Sequence, residues 1–214
     1  MYLLDEHVWF PSPKLANKDG LLAVGGDLSA KRLLLAYQSG IFPWFSEGEP
    51  LLWWSPNPRM VLFPENLHIS KSMKQLLKQN KFNVTYNQDF KSVILACAEQ
   101  PRRGQEGTWI TSEMIDAYLN LHDLGHAISV EVYSDYTLVG GLYGIYLKEK
   151  EIFCGESMFT RQSNASKYGF IRLVQQLAKE GVKLIDCQMY TAHLASLGAE
   201  EISRETFLRY LNFN

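Results

Sequence analysis

The chain has 214 residues, at the upper edge of a single domain and long enough to bury a large core. Hydrophobic residues make up 46% and charged residues 21%, which excludes a disordered chain, and no apolar run approaches the length of a membrane span. A formal charge of −2 excludes whole-surface attraction to nucleic acid, although a local basic stripe can still provide one.

Residues 1–27 read as loop-rich, with Pro11, Pro13 and a Gly25–Gly26–Asp27 turn. Ser29 can cap a helix to about Gln38, with Leu33, Leu34 and Tyr37 at helical spacing and Gly40 as its stop. The stretch 41–59 holds four prolines, three tryptophans and two phenylalanines, and it predicts a rigid aromatic loop rather than a strand pair. A small N-terminal domain is expected over 1–62 and a larger one over 63–214. Ser70 caps a short helix with Met73, Leu76 and Leu77 inward, followed by a strand near 82–86 and a helix near 89–98. The loop from Pro101 leads to a helix capped by Thr111 or Ser112, with Met114, Ile115, Tyr118 and Leu119 inward and Gly125 closing it. Strands follow at 127–133, 136–147 and 151–159, then a helix over 164–179, a strand at 183–188, a short helix near 191–196 and a final helix from Ser203. The order implies a mixed α/β fold with a partly antiparallel sheet, in which strands 151–159 and 183–188 are parallel neighbours flanking a ligand crevice.

Those two strands place polar groups inside apolar patterns. Alternation puts Ile152, Cys154, Glu156 and Met158 on one face of the first, and Leu184, Asp186 and Gln188 on one face of the second. A buried carboxylate must be paired, hydrogen-bonded or protonated. Glu156 reads either as a site carboxylate or as a strand-edge residue paired with a lysine, and Asp186 either as site support or as a structural acceptor. Gly155 suggests a bulge or a close approach to the backbone. Trp44, Trp53, Trp54 and Trp109 lie beside prolines, glycines or loop edges, and suit either core packing or an apolar pocket. Lys71, Lys74, Lys78 and Lys81 form one stripe, read either as a solvated face or as a contact for a nucleic-acid phosphate backbone. Arg102 and Arg103 are equally a phosphate fork or a solvated loop. Cys97, Cys154 and Cys187 lie among apolar residues at no paired spacing, so reduced thiols and a cytoplasmic location are expected. No GxSxG, HExxH, GxxxxGK[ST] or GxGxxG motif occurs, and neither a metal nor a cofactor is expected.

Seven blocks, at 21–29, 40–45, 53–59 (WWSPNPR), 106–111, 153–159 (FCGESMF), 164–167 (NASK) and 183–188 (KLIDCQ), together resemble the leucyl/phenylalanyl-tRNA–protein transferase family in the same order. The resemblance implies a small N-terminal domain joined to an acetyltransferase-like domain of the GNAT superfamily, used without acetyl-CoA. It implies transfer of Leu or Phe, and less well Met, from aminoacyl-tRNA to a protein with N-terminal Arg or Lys, marking it for degradation by the N-end rule. By residue, Asp186 and Gln188 match the family's catalytic pair, with Gln188 accepting a hydrogen bond from the attacking amine and Asp186 fixing it. Glu156 matches the group that faces the basic acceptor side chain. Trp109, Phe153 and Met158 match walls of the donor side-chain pocket. Leu142 stands where some members have Met, and Trp53, Phe170 and Ile185 are expected to complete the pocket. The partners implied are aminoacyl-tRNA and protein or peptide substrates, with no membrane and a monomeric chain. An acyl-CoA-dependent acyltransferase and a non-catalytic RNA-binding module are the alternatives, and the absence of an [RQ]xxGx[GA] loop weighs against the first.

Overall fold

The computed structural model describes residues 1–100 and 109–212. A small sheet comprises β1 (Tyr2–Leu4), β2 (Leu21–Gly25), β3 (Phe42–Pro43) and β4 (Leu52–Trp54), in the order β1-β2-β4-β3. This corrects the loop expectation on both sides. The first 27 residues supply two strands, and β3 pairs antiparallel with β4, setting Phe42 opposite Trp54 and Pro43 opposite Trp53. Pro43 is tolerated because β3 is an edge strand, and strands this short leave no alternation to read. Helix α1 (Ala30–Gln38) connects β2 to β3. Ser29 caps it by accepting from the Arg32 amide, and Gly40 leaves it at φ +74°.

The large sheet contains β5 (Arg59–Leu62), β6 (Asn83–Tyr86), β7 (Ala127–Ser134), β8 (Thr137–Leu147), β9 (Ile152–Thr160), β10 (Leu184–Gln188) and β11 (Glu200–Ile202), in the order β11-β5-β10-β9-β8-β7-β6. β7, β8 and β9 form the expected antiparallel meander. Helix α5 (Ala165–Lys179) then crosses over, and β10 returns parallel to β9. The mixed, partly antiparallel sheet expected from the sequence is therefore present. β5 joins the large sheet beside β10, ahead of the boundary expected at residue 62. β11 was not anticipated.

The remaining helices are α2 (Lys71–Lys78), α3 (Phe90–Glu99), α4 (Ser112–Asp123), α6 (Ala192–Ala195) and α7 (Arg204–Tyr210). Ser70, Asp89, Thr111, Thr191 and Ser203 cap α2, α3, α4, α6 and α7 through their side chains. Each sheet face carries its own core. On one, α5 packs Phe170, Leu173 and Val174 with Leu142 and Val130, and α2 adds Met73. On the other, Val93 and Cys97 of α3 and Met114 and Tyr118 of α4 meet Tyr143 and Ile145, and the core runs on into α1 and the small sheet. Gly140 lets α5 close on β8, since a Cβ there would lie 2.7 Å from that of Ala165. Among the described residues no helix is long and apolar enough to cross a membrane.

Candidate active site

β9 and β10 pair for only three residues, Leu184 with Ile152, Ile185 with Phe153 and Asp186 with Cys154. Beyond Asp186 both strands are irregular. On β9, Gly144 faces Gly155 and Tyr143 faces Ser157, which leaves Glu156 as the extra residue of a bulge. On β10, Val61 faces Asp186 and Met60 faces Gln188, which leaves Cys187 unpaired in the ladder. Gln188 itself sits at φ +64°, in the left-handed region. The strands part here, and a cavity of about 430 Å³ lies between residues 155–158 and 185–189.

The bulge overturns simple alternation. Ile152 and Cys154 join the core beneath α3 and α4, as a straight strand requires. Met158, expected beside them, packs instead against the α5 core, opposite Leu142. One inserted residue has exchanged the two faces.

Three other elements converge on Glu156 of β9. The Tyr118 hydroxyl of α4 donates to Oε2 at 2.9 Å, and Gln188 Nε2 of β10 donates to Oε1 at 2.8 Å. Behind Tyr118, its hydroxyl meets that of Tyr37 from α1. The carboxyl opens partly on the cavity but is otherwise enclosed by protein. Burial pushes Glu156 up to about 7, helped by the negative charge of Asp186 and opposed by hydrogen bonds from Tyr37, Tyr118 and Gln188. Burial likewise raises both tyrosine hydroxyls far above their usual range.

Asp186 is placed differently. It is 1% exposed and lies outside the cavity lining. Arg59 grips it at two points, Nε to Oδ1 at 2.8 Å and Nη2 to Oδ2 at 2.6 Å. Oδ1 also accepts the Gln188 backbone amide at 2.9 Å. Gln188 does line the cavity. The expected pair thus divides into a buried carboxylate that holds a backbone turn and an amide side chain that faces the opening.

The family of leucyl/phenylalanyl-tRNA protein transferases matches residues 61–212, and the N-terminal domain of the same family matches 26–57. The chain belongs to this family. It is 63% identical to the leucyl/phenylalanyl-tRNA–protein transferase of Christiangramia forsetii, over 99% of this chain and 100% of the relative. It is 57% identical to the one from Flavobacterium johnsoniae, over 99% of each. The transferase of Pseudomonas fluorescens is 58% identical over 94% of this chain and 89% of its own. Among solved structures, a GCN5-related N-acetyltransferase from Kribbella flavida is similar at TM-score 0.40 and 10% identity, covering 85% of this chain and 63% of that one. That likeness is too distant to bear on function.

Of the residues the transferase resemblance assigns to a donor pocket, Trp109, Leu142, Met158, Phe170 and Ile185 line the cavity. Trp53 and Phe153 do not. Trp53 is fully buried in the small sheet, where Nε1 donates to the Gly25 carbonyl at 2.9 Å and Phe10 packs edge-on at 4.8 Å. Phe153 is wholly buried before the strands part, with its ring against Gly144. Trp44, read as suited to core packing or an apolar pocket, lines the cavity from just after β3, as does Phe42 of β3, which had no assigned role. Trp44 lay in a motif block already noted at 40–45, and Arg59 closed the block at 53–59.

The basic residues are scattered more than the sequence implied. Lys71, Lys74 and Lys78 are exposed on α2, but Lys81 follows the helix end, past Asn80 at φ +47°. Arg102 and Arg103 lie outside the described residues. Among the described residues no group of three His, Cys, Asp or Glu side chains is arranged to hold a metal ion.

Proposed function

We propose that the cavity between β9 and β10 is the site at which this transferase carries out its family's reaction. The protein moves Leu or Phe from aminoacyl-tRNA to the N-terminus of a protein. The observation that supports the cavity as the place is the meeting of Gln188 and Glu156 at the edge of an otherwise apolar opening.

The donor is an ester at the tRNA 3′ end and the acceptor is an α-amine of pKa about 7.7–8, part of which is unprotonated near neutral pH. The amine nitrogen adds to the ester carbonyl, the tetrahedral intermediate collapses, and the ribose oxygen leaves with the proton shed by the amine. The protein's main contribution is alignment. Because Gln188 Nε2 is committed to Glu156, its Oε1 is the atom left to accept a hydrogen bond from the attacking amine. Asp186, closed off by Arg59, acts through the Gln188 backbone and not on the amine.

Leu142, Met158, Phe170 and Ile185 form an apolar wall that receives the side chain of Leu, Phe or, less well, Met. A polar side chain would lose its hydration there. The acceptor carries N-terminal Arg or Lys, and Glu156 in its anionic form attracts that cation. Glu156 Oε1, which accepts from Gln188 Nε2, can accept a second hydrogen bond from that cation. Lys71, Lys74, Lys78 and Lys81, with Arg102 and Arg103, are candidates for the tRNA backbone. These substrates place the reaction in the cytoplasm and its product in the N-end rule.

Incubation with labelled Leu-tRNA or Phe-tRNA should transfer label to a peptide beginning with Arg or Lys and not to its N-acetylated form. No transfer by well-folded protein would sink the reading. A CoA-dependent acyltransferase would instead label from acyl-CoA, and an RNA-binding module would bind tRNA without product.

A further inference from the structure

Arg59 is a buried cation with no place in the chemistry described so far. It stands 1% exposed, at the start of β5, and it ties together parts of the chain that are far apart in sequence. Its Nη1 donates to the Gly40 carbonyl at 3.3 Å, where α1 ends. Its guanidinium carbon lies 4.8 Å from the ring centre of Phe42 and 4.6 Å from that of Phe207 on α7. Its remaining nitrogens hold Asp186. Phe42 lines the cavity, so the same side chain braces a wall of the site and the carboxylate behind it.

We propose that Arg59 is a positioning residue for aminoacyl transfer: its two-point grip fixes the orientation of the Asp186 carboxyl group, and Asp186 in turn fixes the left-handed turn that presents Gln188 to the cavity. The inference rests on the role assigned to Gln188 above. A non-glycine residue at φ +64° is held there only when its surroundings over-determine it. The hydrogen bond from the Gln188 amide to Asp186 Oδ1 ties that turn to a side chain, and it requires Oδ1 to remain an acceptor with a fixed orientation. A bidentate guanidinium supplies both conditions, because its planar fork sets the carboxylate plane as well as its charge. A lysine would supply charge without the plane. The other ionisable groups near Asp186 are Glu156 and the Cys154 thiol of β9 and the Cys187 thiol of β10, none of them cationic. Arg204, at the start of α7, is close enough to feel the charge of Arg59 but donates to the Ser55 carbonyl. Asp186 has no second cationic partner among these groups.

The test is Arg59→Lys, alone and combined with Gln188→Ala, assayed for transfer to an Arg-initiated peptide. In the single variant thermal unfolding should remain cooperative, kcat should fall about tenfold or more, and KM for both substrates should stay within about twofold. In the Gln188→Ala background the same substitution should cost nothing further, because both changes act through one group. A loss that simply multiplies with that of Gln188→Ala, or an unchanged kcat in the single variant, overturns the proposal. Should Arg59→Lys fail to fold, Arg59→Gly assayed with added guanidinium ion decides: recovery of kcat supports positioning, and no recovery overturns it. A wild-type protein that transfers nothing overturns the reaction assignment as well, whereas an active wild type with an indifferent Arg59 overturns this inference alone.

Discussion

Gln188 and Glu156 reach each other across the gap where β9 and β10 separate, with Nε2 and Oε1 2.8 Å apart. Neither residue lies in a regular ladder position. Glu156 is the extra residue of a bulge, and Gln188 is turned into left-handed backbone. The contact makes the titration of one residue a condition on the orientation of the other, because a carboxylate accepts from the amide NH₂ without competition whereas a carboxylic acid also presents a donor.

The first prediction concerns stability and pH. Glu156 is raised to about 7 from an ordinary value of 4.5. A carboxyl whose folded pKa is raised adds stability that is fully present below about 4.5 and lost as pH rises through about 7. Glu156→Gln stays neutral throughout. Its stability relative to wild type should therefore increase between about pH 5 and about pH 8, by up to roughly 2–3 kcal/mol, reduced by the partial opening of the carboxyl to the cavity. Paired thermal melts across that range check it, and a constant difference would count against the raised value.

The same ionisation should be visible in acceptor selection. Below about 7 Glu156 takes up a proton and loses its attraction for an N-terminal Arg. The KM for an Arg-initiated peptide should rise as pH falls through this region, by about tenfold, and Glu156→Gln should remove the change. Comparing wild type with the variant at each pH cancels the protonation of the acceptor amine itself. A parallel pH profile for both proteins would separate Glu156 from acceptor choice.

Leu142 tests the donor wall. It is 2% exposed, faces Met158 and lines the cavity. Leu142→Ala should lower kcat/KM for Leu-tRNA by about 10- to 100-fold, in keeping with about 1–3 kcal/mol per methylene-sized mismatch, and should reduce Phe-tRNA less. Competition between the two charged tRNAs reads the ratio directly. An unchanged ratio would move the donor side chain away from this wall.

Trp53 provides the contrasting case. Trp53→Phe deletes the hydrogen bond to the Gly25 carbonyl and part of a fully buried ring. It should destabilise the protein by about 1–3 kcal/mol and leave the Leu-to-Phe preference unaltered. Chemical denaturation and the same competition assay check both halves.

The lysines are tested by salt dependence. Replacing Lys71, Lys74 and Lys78 together by Ala should weaken tRNA binding without altering peptide KM. If each meets a phosphate, the slope of log K against log salt should shrink by about one per residue. An unchanged slope would return these side chains to the solvated face.

Much of the scaffold could be read from periodicity. The spacing of Phe90, Val93, Ile94 and Cys97 gives α3, and the caps at Ser29, Ser70 and Thr111 mark helix starts that the structure reproduces. The strands of the small sheet were hidden because two to five residues carry no usable alternation and prolines argue against pairing. The site was half visible. Glu156, Asp186 and Gln188 stood out because carboxylates and an amide interrupt apolar runs, but which of them faces the opening depends on two irregularities of the backbone. Gly155 hinted at one. Nothing local pointed to the other, and Asp186 could be recognised as enclosed only once Arg59, 127 positions away, was seen beside it.

The bulge at Glu156 also limits how the strand can change. It acts as a phase shifter: residues before it are counted in one register of inside and outside, and residues after it in the other. Deleting Glu156 would make the ladder regular and leave Met158 opposite Leu142 and Phe159 opposite Gly141, at the cost of the site carboxylate. Straightening the strand with every residue kept would instead swing Met158 beneath α4 and Phe159 beneath α5, and the error would propagate along the rest of β9. Substitutions can retune the cavity one wall at a time, but the bulge is the one backbone feature that seats Glu156 in the site and keeps Met158 and Phe159 in their separate cores.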